Sequence, residues 1–189
     1  MNQDEANKRL FDSIFHGRAG DARAALEAGA DPNAVDMGGT ALRQAAYSSP
    51  AETVALLLDR GADVNAGSGY CSQSALMVAA SCGRTKLAAL LLDRGADVNA
   101  RDEWGRSALI LAASESEYEY DNTAAAALLL DRGADVNAPD DEGRTALIRA
   151  AEYGNIETAA LLLDRGADVN AADEKGVTAL MLAACKGYT

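Results

Sequence analysis

The chain has 189 residues, 49% of them apolar and 5% aromatic, and a formal net charge of −12 at pH 7. This charge argues against nucleic acid or an anionic membrane as the main partner, because both require clustered Lys and Arg, and it favours a partner with a basic or neutral surface. The N-terminus is polar, and no apolar run approaches the roughly 20 residues that span a bilayer. We therefore predict an intracellular, cytoplasmic protein.

In chain order, an irregular polar unit comes first, and we interpret residues 1–34 as an N-terminal cap. Four units follow, each ending in LLLDRGADVNA, at 35–66, 67–100, 101–138 and 139–171, and a partial unit occupies 172–189. The glycines that mark the first five units are 32, 34, 38 and 33 residues apart, at Gly29, Gly61, Gly95, Gly133 and Gly166. A period near 33 indicates a repeat architecture, so 1–189 is predicted to be a single repeat domain.

The unit Asp140 to Ala171 predicts two helices. Thr145 can cap the first helix, and Gly154-Asn155 ends it. The second helix is expected over 156–164, with Ala159, Ala160, Leu162 and Leu163 directed inward. Gly166, in a left-handed conformation, would close it. One such unit is too small to bury its leucines, so several must stack.

A second motif keeps the same phase as the glycines. A Thr-Ala-Leu or Ser-Ala-Leu triplet begins at Thr40, Ser74, Ser107, Thr145 and Thr178. With the 33-residue period, these motifs resemble the ankyrin repeat family over nearly the whole chain. The resemblance implies an all-α repeat solenoid of stacked antiparallel helix pairs, with β-hairpin or loop fingers roughly perpendicular to them.

The chain departs from the family pattern at the first helix of each unit. Where TPLH is expected, the proline is replaced by alanine and the histidine by Arg43, Met77, Ile110, Ile148 or Met181. The resemblance assigns that histidine to hydrogen bonds between neighbouring units. Its loss puts the rigidity between units in doubt, while the apolar periodicity still supports the fold.

Three segments interrupt the regular spacing. Five extra residues lie within 114–122, which is both acidic and aromatic and predicts either an added contact surface for a basic partner or a longer first helix with a solvated end. The finger between Asn65 and Ser74 is one residue longer than the usual step, and the finger between Asn33 and Thr40 is one residue shorter. These two fingers are candidates for partner-specific shape or for neutral variation.

Candidate partner-binding residues follow from the resemblance, which implies a concave groove lined by finger tips and the exposed side of each first helix. Trp104 is the strongest candidate, because it is the only tryptophan and Trp, Tyr and Arg often dominate interface energetics. The alternative is that its indole folds back onto the neighbouring finger. The predicted set is Met37, Tyr47, Tyr70, Gln73, Glu103, Trp104, Arg106, Glu115, Tyr118, Tyr120, Asp141, Glu142, Arg144, Tyr153, Glu174 and Lys175.

Four asparagines form a separate class of candidates. Their context, a leucine-rich helix followed by Asp-Val-Asn, resembles the sites at which ankyrin asparagines of animal proteins are hydroxylated. The resemblance therefore implies possible modification at Asn65, Asn99, Asn137 and Asn170.

The sequence gives little support for catalysis, metal binding or cofactor binding by this chain. The only histidine, His16, is far from Cys71, Cys82 and Cys185, and no CxxC spacing or phosphate-binding glycine loop is present. We therefore expect no metal, no cofactor and no catalytic residues. The predicted function is a non-catalytic protein–protein interaction scaffold, and the alternative is a regulatory or targeting segment of a larger enzyme or effector.

The last unit stops before a second helix could begin. We interpret the chain as a fragment in preference to one that uses half a unit as a cap. A monomer is expected, with end-to-end packing on another chain at this end as the alternative.

Overall fold

The computed structural model describes residues 2–67, 72–114 and 122–188. Within these ranges the chain forms antiparallel helix pairs followed by a single last helix. The first helix of each pair is α1 (Gln3–Phe15), α3 (Ala41–Ser48), α5 (Ala75–Ser81), α7 (Ala108–Ala113) or α9 (Ala146–Tyr153). The second is α2 (Ala19–Glu27), α4 (Ala51–Asp59), α6 (Thr85–Asp93), α8 (Thr123–Asp131) or α10 (Ile156–Asp164), and the last helix is α11 (Ala179–Lys186).

Local signals set the helix ends. The hydroxyl of Thr145 accepts a hydrogen bond from the Ile148 N–H at 3.4 Å, which confirms it as the N-cap of α9. The same cap opens α3, α5, α7 and α11. Gly166 follows α10 with φ of 87°, a left-handed conformation that favours glycine, so its predicted role is also confirmed.

The helices form two rows around a continuous apolar core. The first helices contact one another in sequence from α1 to α11. The second helices form the other row, in which α2 contacts α4, and α8 contacts both α6 and α10. Leucines that are fully buried, such as Leu76, Leu109 and Leu129, fill the space between the rows. Alanine pairs in the first helices are also buried, for example Ala112 and Ala113, and their small side chains allow neighbouring helices to approach closely.

Short fingers connect the units. One is a two-stranded antiparallel hairpin of β1 (Val35–Asp36) and β2 (Gly39–Thr40), in which Val35 pairs with Thr40. A single bridge between Ala172 and Thr178 closes the finger before α11. The described fingers at 101–106 and 139–144 are loops, which agrees with the predicted mixture of hairpins and loops.

Asparagine side chains connect each of the first four units to the next. The amide of Asn99 accepts a hydrogen bond from the Asp135 N–H at 2.9 Å and donates one to the Gly133 carbonyl at 3.2 Å. Asn33, Asn65 and Asn137 make the same two bonds to their following units. We call Asn33, Asn65, Asn99 and Asn137 the asparagine ladder. It lies within the repeated LLLDRGADVNA motif and its equivalent in the first unit.

Two further sets of polar bonds cross the unit boundaries. Arg94, Arg132 and Arg165 pair with an aspartate of the preceding unit at 2.8, 2.8 and 2.7 Å, and each exposed pair is worth about 0.2–1 kcal/mol. The residue before α6, α8 and α10 also donates to the free carbonyls that end the first helix of the preceding unit, as Asn155 does to Ala113 at 2.8 Å. Arg84 and Asn122 make such bonds from the same position, and Ser49, two residues before α4, donates to the Ile14 carbonyl of α1.

Loss of the family histidine therefore does not leave the unit boundaries without polar bonds, and the effect of that loss on rigidity stays a prediction. The units are joined through side chains that the triplet motif does not contain. Three of the histidine positions are occupied by buried apolar residues, Met77, Ile110 and Ile148, and the other two by Arg43 and by the exposed Met181. The stack therefore gains apolar burial at those positions and places its polar coupling elsewhere.

The two ends of the stack differ. In the first unit Asn7 of α1 accepts from the Asp31 N–H at 2.8 Å, the bond that an asparagine of a preceding unit would otherwise make, and Ala28 stands where later units have arginine. At the other end Leu180 and Met181 are 71% and 57% exposed, whereas Leu147 and Ile148, their equivalents in α9, are buried.

The prediction that Ala160 and Leu163 point inward is wrong. Both are exposed in α10, while Ala159 is half-buried and Leu162 fully buried. The equivalent residues of α8, Ala127 and Leu130, are half-buried because α10 packs beside them. No described helix packs on the far side of α10, so the same positions remain exposed there.

We predict that Asn99→Ala lowers the free energy of unfolding by about 1–2 kcal/mol, because two hydrogen bonds between units are lost. Asn170→Ala is the matched control, since the Asn170 side chain makes no such bond in the described part of the chain, and its effect should stay within about 0.5 kcal/mol. Urea unfolding followed by circular dichroism measures both, and equal losses would contradict a coupling role for the ladder.

Candidate functional site

One aspartate organises each of the three C-terminal fingers. The Oδ1 atom of Asp140 accepts hydrogen bonds from the backbone N–H groups of Glu142 and Arg144, at 3.0 and 2.9 Å. Asp102 and Asp173 accept in the same pattern from residues two and four positions later. Each tip therefore has a backbone that is fixed by its own carboxylate.

The three tips are also joined to one another. The Asp141 N–H donates to the Trp104 carbonyl, and the Glu174 N–H donates to the Glu142 carbonyl, both at 3.0 Å. Gly143 allows this close approach, because a Cβ atom there would lie 3.0 Å from the Glu174 nitrogen, and its φ of 78° also favours glycine. The tips thus form a continuous edge, which we call the finger edge (103–106, 141–144 and 174–177).

Trp104 is the large aromatic side chain of this edge. Its ring lies under the Arg106 guanidinium, 4.4 Å from the ring centroid to Cζ, and it remains 43% exposed. Arg106 is itself fixed by Asp102, at 2.7 Å from Nη2 to Oδ2. The indole therefore stacks on its own finger, and this cation–π contact holds a half-exposed aromatic surface in one orientation.

A charged network lies between the finger edge and α9. Arg149 donates to Asp140 at 2.7 Å and to Glu152 at 3.2 Å, and its side chain is mostly buried. Burial acts to lower the pKa of Arg149, but the hydrogen bond and charge of Asp140, helped by Glu152, raise it above its ordinary value. Arg144 lies within 4 Å of Glu142, Glu152 and Asp173. These guanidinium groups are already neutralised.

The structure brings some of the predicted binding residues together. Glu103, Trp104, Arg106, Asp141, Glu142, Arg144, Glu174 and Lys175 all lie on the finger edge. Gln73 is half-buried next to Ser72, whose hydroxyl donates to Glu103 at 3.2 Å. Tyr153 is exposed at the end of α9, and its ring makes no contact with the Trp104 ring.

Other predicted residues lie apart from that edge or outside the described residues. Met37 is fully exposed at the tip of the β1–β2 hairpin, and Tyr47 is half-exposed on α3. Tyr70, Glu115, Tyr118 and Tyr120, with most of the acidic tyrosine insertion, lie outside the described residues. The amides of Asn65, Asn99 and Asn137 belong to the asparagine ladder, and Asn170 is exposed; modification of these four stays a prediction.

Sequence reasoning did not identify Arg149, Asp140 or Glu152 as members of a network. Arg149 is the only charged residue at its helix position among the units, where the others have Gln44, Val78, Leu111 and Leu182. A lone charge at an otherwise apolar or neutral position was the available signal. Within the described ranges, no three His, Cys, Asp or Glu side chains cluster in a way that could hold a metal ion, and no helix is long and apolar enough to cross a membrane.

These features define a stacked helix–loop–helix repeat protein whose fingers and first helices form one face. The family model for ankyrin repeats in three copies matches residues 67–140 and again 118–189, and the model for a single ankyrin repeat matches 37–68. The chain belongs to the ankyrin repeat family. No curated protein is similar enough to the chain to serve as a named relative.

We predict that Asp140→Ala destabilises the protein by about 3 kcal/mol, because it leaves the mostly buried Arg149 without its main partner and removes two backbone bonds in the tip. Asp141→Ala, at the next and more exposed position, should cost less than about 1 kcal/mol. Urea unfolding of both variants gives the comparison; similar values would show that the network is not a stability element.

A pH dependence follows from Asp173. Hydrogen bonds from the Val177 and Lys175 N–H groups and the charge of Arg144 lower the pKa of Asp173 from 3.8, despite a smaller opposing effect of burial. Because the folded pKa is lower than the unfolded one, the ionised group stabilises the fold at neutral pH, and this contribution is lost as the pH falls below about 4. The difference in urea midpoint between wild type and Asp173→Asn should shrink from pH 6 to pH 2.5; a constant difference would contradict this role.

Proposed function

We propose that this chain is a non-catalytic scaffold that binds a partner protein through the groove between its finger tips and first helices. Ankyrin repeats are generally protein–protein interaction modules, and the chain belongs to that family. The observation that supports this groove most directly is Trp104, half-exposed on a finger edge whose backbone is fixed within and between tips. A rigid, exposed aromatic loses little conformational entropy on binding, so such a residue is a favourable anchor.

The charge of the C-terminal part of the groove favours a basic partner segment. The last two fingers and α9 carry six acidic side chains and three basic ones, and the basic ones include Arg144 and Arg149, which are already paired. The excess of carboxylates comes from Asp140, Asp141, Glu142, Glu152, Asp173 and Glu174, against Arg144, Arg149 and Lys175. Lys or Arg side chains of a partner would find exposed acceptors at Glu142 and Glu174.

The alternative function is a regulatory or targeting segment of a larger enzyme or effector. It is favoured by the apolar surface of α11, where Leu180 and Met181 are exposed although internal units bury the equivalent residues. Asn170 and Asp164 are also open to bonds of the kind that Asn137 and Asp131 make. The open reading frame beyond codon 189 tests this alternative, which requires an in-frame continuation.

We predict that Trp104→Ala weakens partner binding by more than about 2 kcal/mol, while the melting temperature changes by less than about 3 °C. Affinity capture with wild-type protein identifies the partner, and titration calorimetry with the purified partner gives the loss. Ile156→Ala is the control, because Ile156 is exposed on α10, in the second row of helices. If Trp104→Ala lowers the melting temperature as strongly as it weakens binding, Trp104 has a structural role. If Trp104→Ala and Ile156→Ala bind the partner equally well, the finger edge is not the binding surface.

A further inference from the structure

Arg43 is the exception among the arginines of the chain. Its side chain makes one hydrogen bond in the described residues, from Nη1 to the Gly38 carbonyl at 2.6 Å. Its Nε atom is shielded from water and has no hydrogen-bond partner there. A guanidinium group has five N–H donors, so most of the donor capacity of Arg43 is unused.

Every other arginine has stronger compensation. Eleven of the 13 arginines lie within 4 Å of a carboxylate in the described residues, and Arg84 donates to three carbonyls near the end of α3. Arg43 has neither arrangement, in a chain with 29 acidic residues and 17 basic ones. Arg43 is thus an arginine in the groove without a carboxylate partner among the described residues, and its guanidinium is available to a carboxylate of another molecule.

The nearest acidic residue of the same finger is already engaged. Asp36 Oδ1 accepts from the Gly38 N–H at 2.7 Å and also from the Gln44 side-chain amide. Asp36 therefore organises the β1–β2 turn, as the aspartates of the later fingers organise theirs. It makes no ion pair with Arg43.

A depression of about 180 Å³ lies beside the guanidinium. Side chains of α1, α3 and α5 line it together with the hairpin turn: Ile14, Phe15, Gly38, Tyr47, Ser48 and Val78. Phe15 is 78% exposed at its rim, and Met37 at the nearby hairpin tip is completely exposed. This part of the groove therefore offers apolar surface next to an uncompensated positive charge.

We propose that Arg43 binds a carboxylate side chain, Asp or Glu, of an extended partner segment, and that an adjacent apolar side chain of that segment occupies the depression beside Phe15 and Tyr47. This inference rests on the proposed function and specifies the partner's chemistry at one end of the groove. A carboxylate is the planar acceptor that a guanidinium binds through two parallel hydrogen bonds. The apolar neighbour adds burial that a free carboxylate ion would lack.

The two ends of the groove then select opposite charges. Arg43 lies near the α1–α3 end, while the excess carboxylates of the last two fingers and α9 lie near the α9–α11 end. A partner segment with an acidic and apolar pair at one terminus and basic residues toward the other would bind in a single direction. Its overall charge would be near neutral, in agreement with the partner expected from the charge of the chain.

Selection from a display library of random dodecapeptides on the immobilised full chain tests the proposal. Wild-type protein should enrich peptides that have Asp or Glu next to Phe, Leu, Ile or Met. Arg43→Glu should enrich Lys or Arg at that position instead. Arg23→Glu is the matched control, because Arg23 is exposed on α2, carries the same charge and does not line the depression; it should enrich the wild-type set.

Fluorescence anisotropy with one selected peptide gives the quantitative result. Changing the peptide's acidic residue to its amide should weaken binding to wild-type protein about tenfold or more and leave the binding of Arg43→Gln unchanged. The peptide substitution also tests wild-type protein alone, and the absence of weakening there would overturn the proposal even if an Arg43 variant unfolds. Equal weakening on wild type and Arg43→Gln would overturn the proposal.

The same peptides separate this inference from the function on which it depends. If Trp104→Ala abolishes peptide binding and Arg43→Gln does not change it, the carboxylate site at Arg43 is wrong and the proposed function of the groove is retained. Failure to enrich any peptide, or enrichment indifferent to both variants, overturns both.

Discussion

The asparagine side chain that spans each unit boundary is the interaction on which the rest of the structure depends. A single helix pair cannot bury its leucines, so its stability comes from its neighbours. Apolar contact alone would tolerate sliding and rotation of one pair on the next. Asn65 and its equivalents add directional bonds to a backbone carbonyl and a backbone N–H about 30 residues further along the chain. These bonds set the offset between units, and that offset determines where each finger lies.

Finger positions in turn determine the functional surface. The bonds from Asp141 to Trp104 and from Glu174 to Glu142 form only if successive tips are in register. The ladder and the tip-to-tip bonds lie at different levels of the same units, so they reinforce one another. An aromatic such as Trp104 can then be presented on a loop with the precision that a helix or strand usually provides.

Features that depend on neighbouring residues in the sequence could be predicted, and features that depend on distant ones could not. Thr145 as a cap and the bounds of α10 follow from local chemistry, and the sequence placed them correctly. The position of Asn99 in a turn was equally visible, but its bonding partners belong to the next unit, and periodicity does not specify which atoms meet. Leu163 shows the same limit for apolar residues, because its burial depends on what packs beyond α10.

The same distinction between local and distant contacts holds for the candidate groove. The repeat phase identified the tips around Trp104 and Arg144 and marked Arg149 as a lone charge at its position, but it did not indicate which carboxylate would pair with Arg149 or that Arg43 would have none in the described part of the chain. Both are arginines on the finger side of a first helix. Arg149 forms an ion pair with Asp140 of its finger. Arg43 has no such partner among the described residues, because the corresponding carboxylate of its finger, Asp36, accepts a hydrogen bond from the Gln44 side-chain amide instead. Pairing of this kind is a property of three-dimensional placement.

The self-contained first unit gives the stack a direction. Because Asn7 makes the bond that a preceding asparagine would make, and Ala28 cannot reach back as arginine does, a unit added before α1 would lack two of the polar contacts that join internal units. A unit added after α11 would meet Asn170 and Asp164, the equivalents of residues that internal units use for these contacts. Duplication, whether by evolution or by an engineer lengthening the array, is therefore accommodated in the interior or at the α11 end.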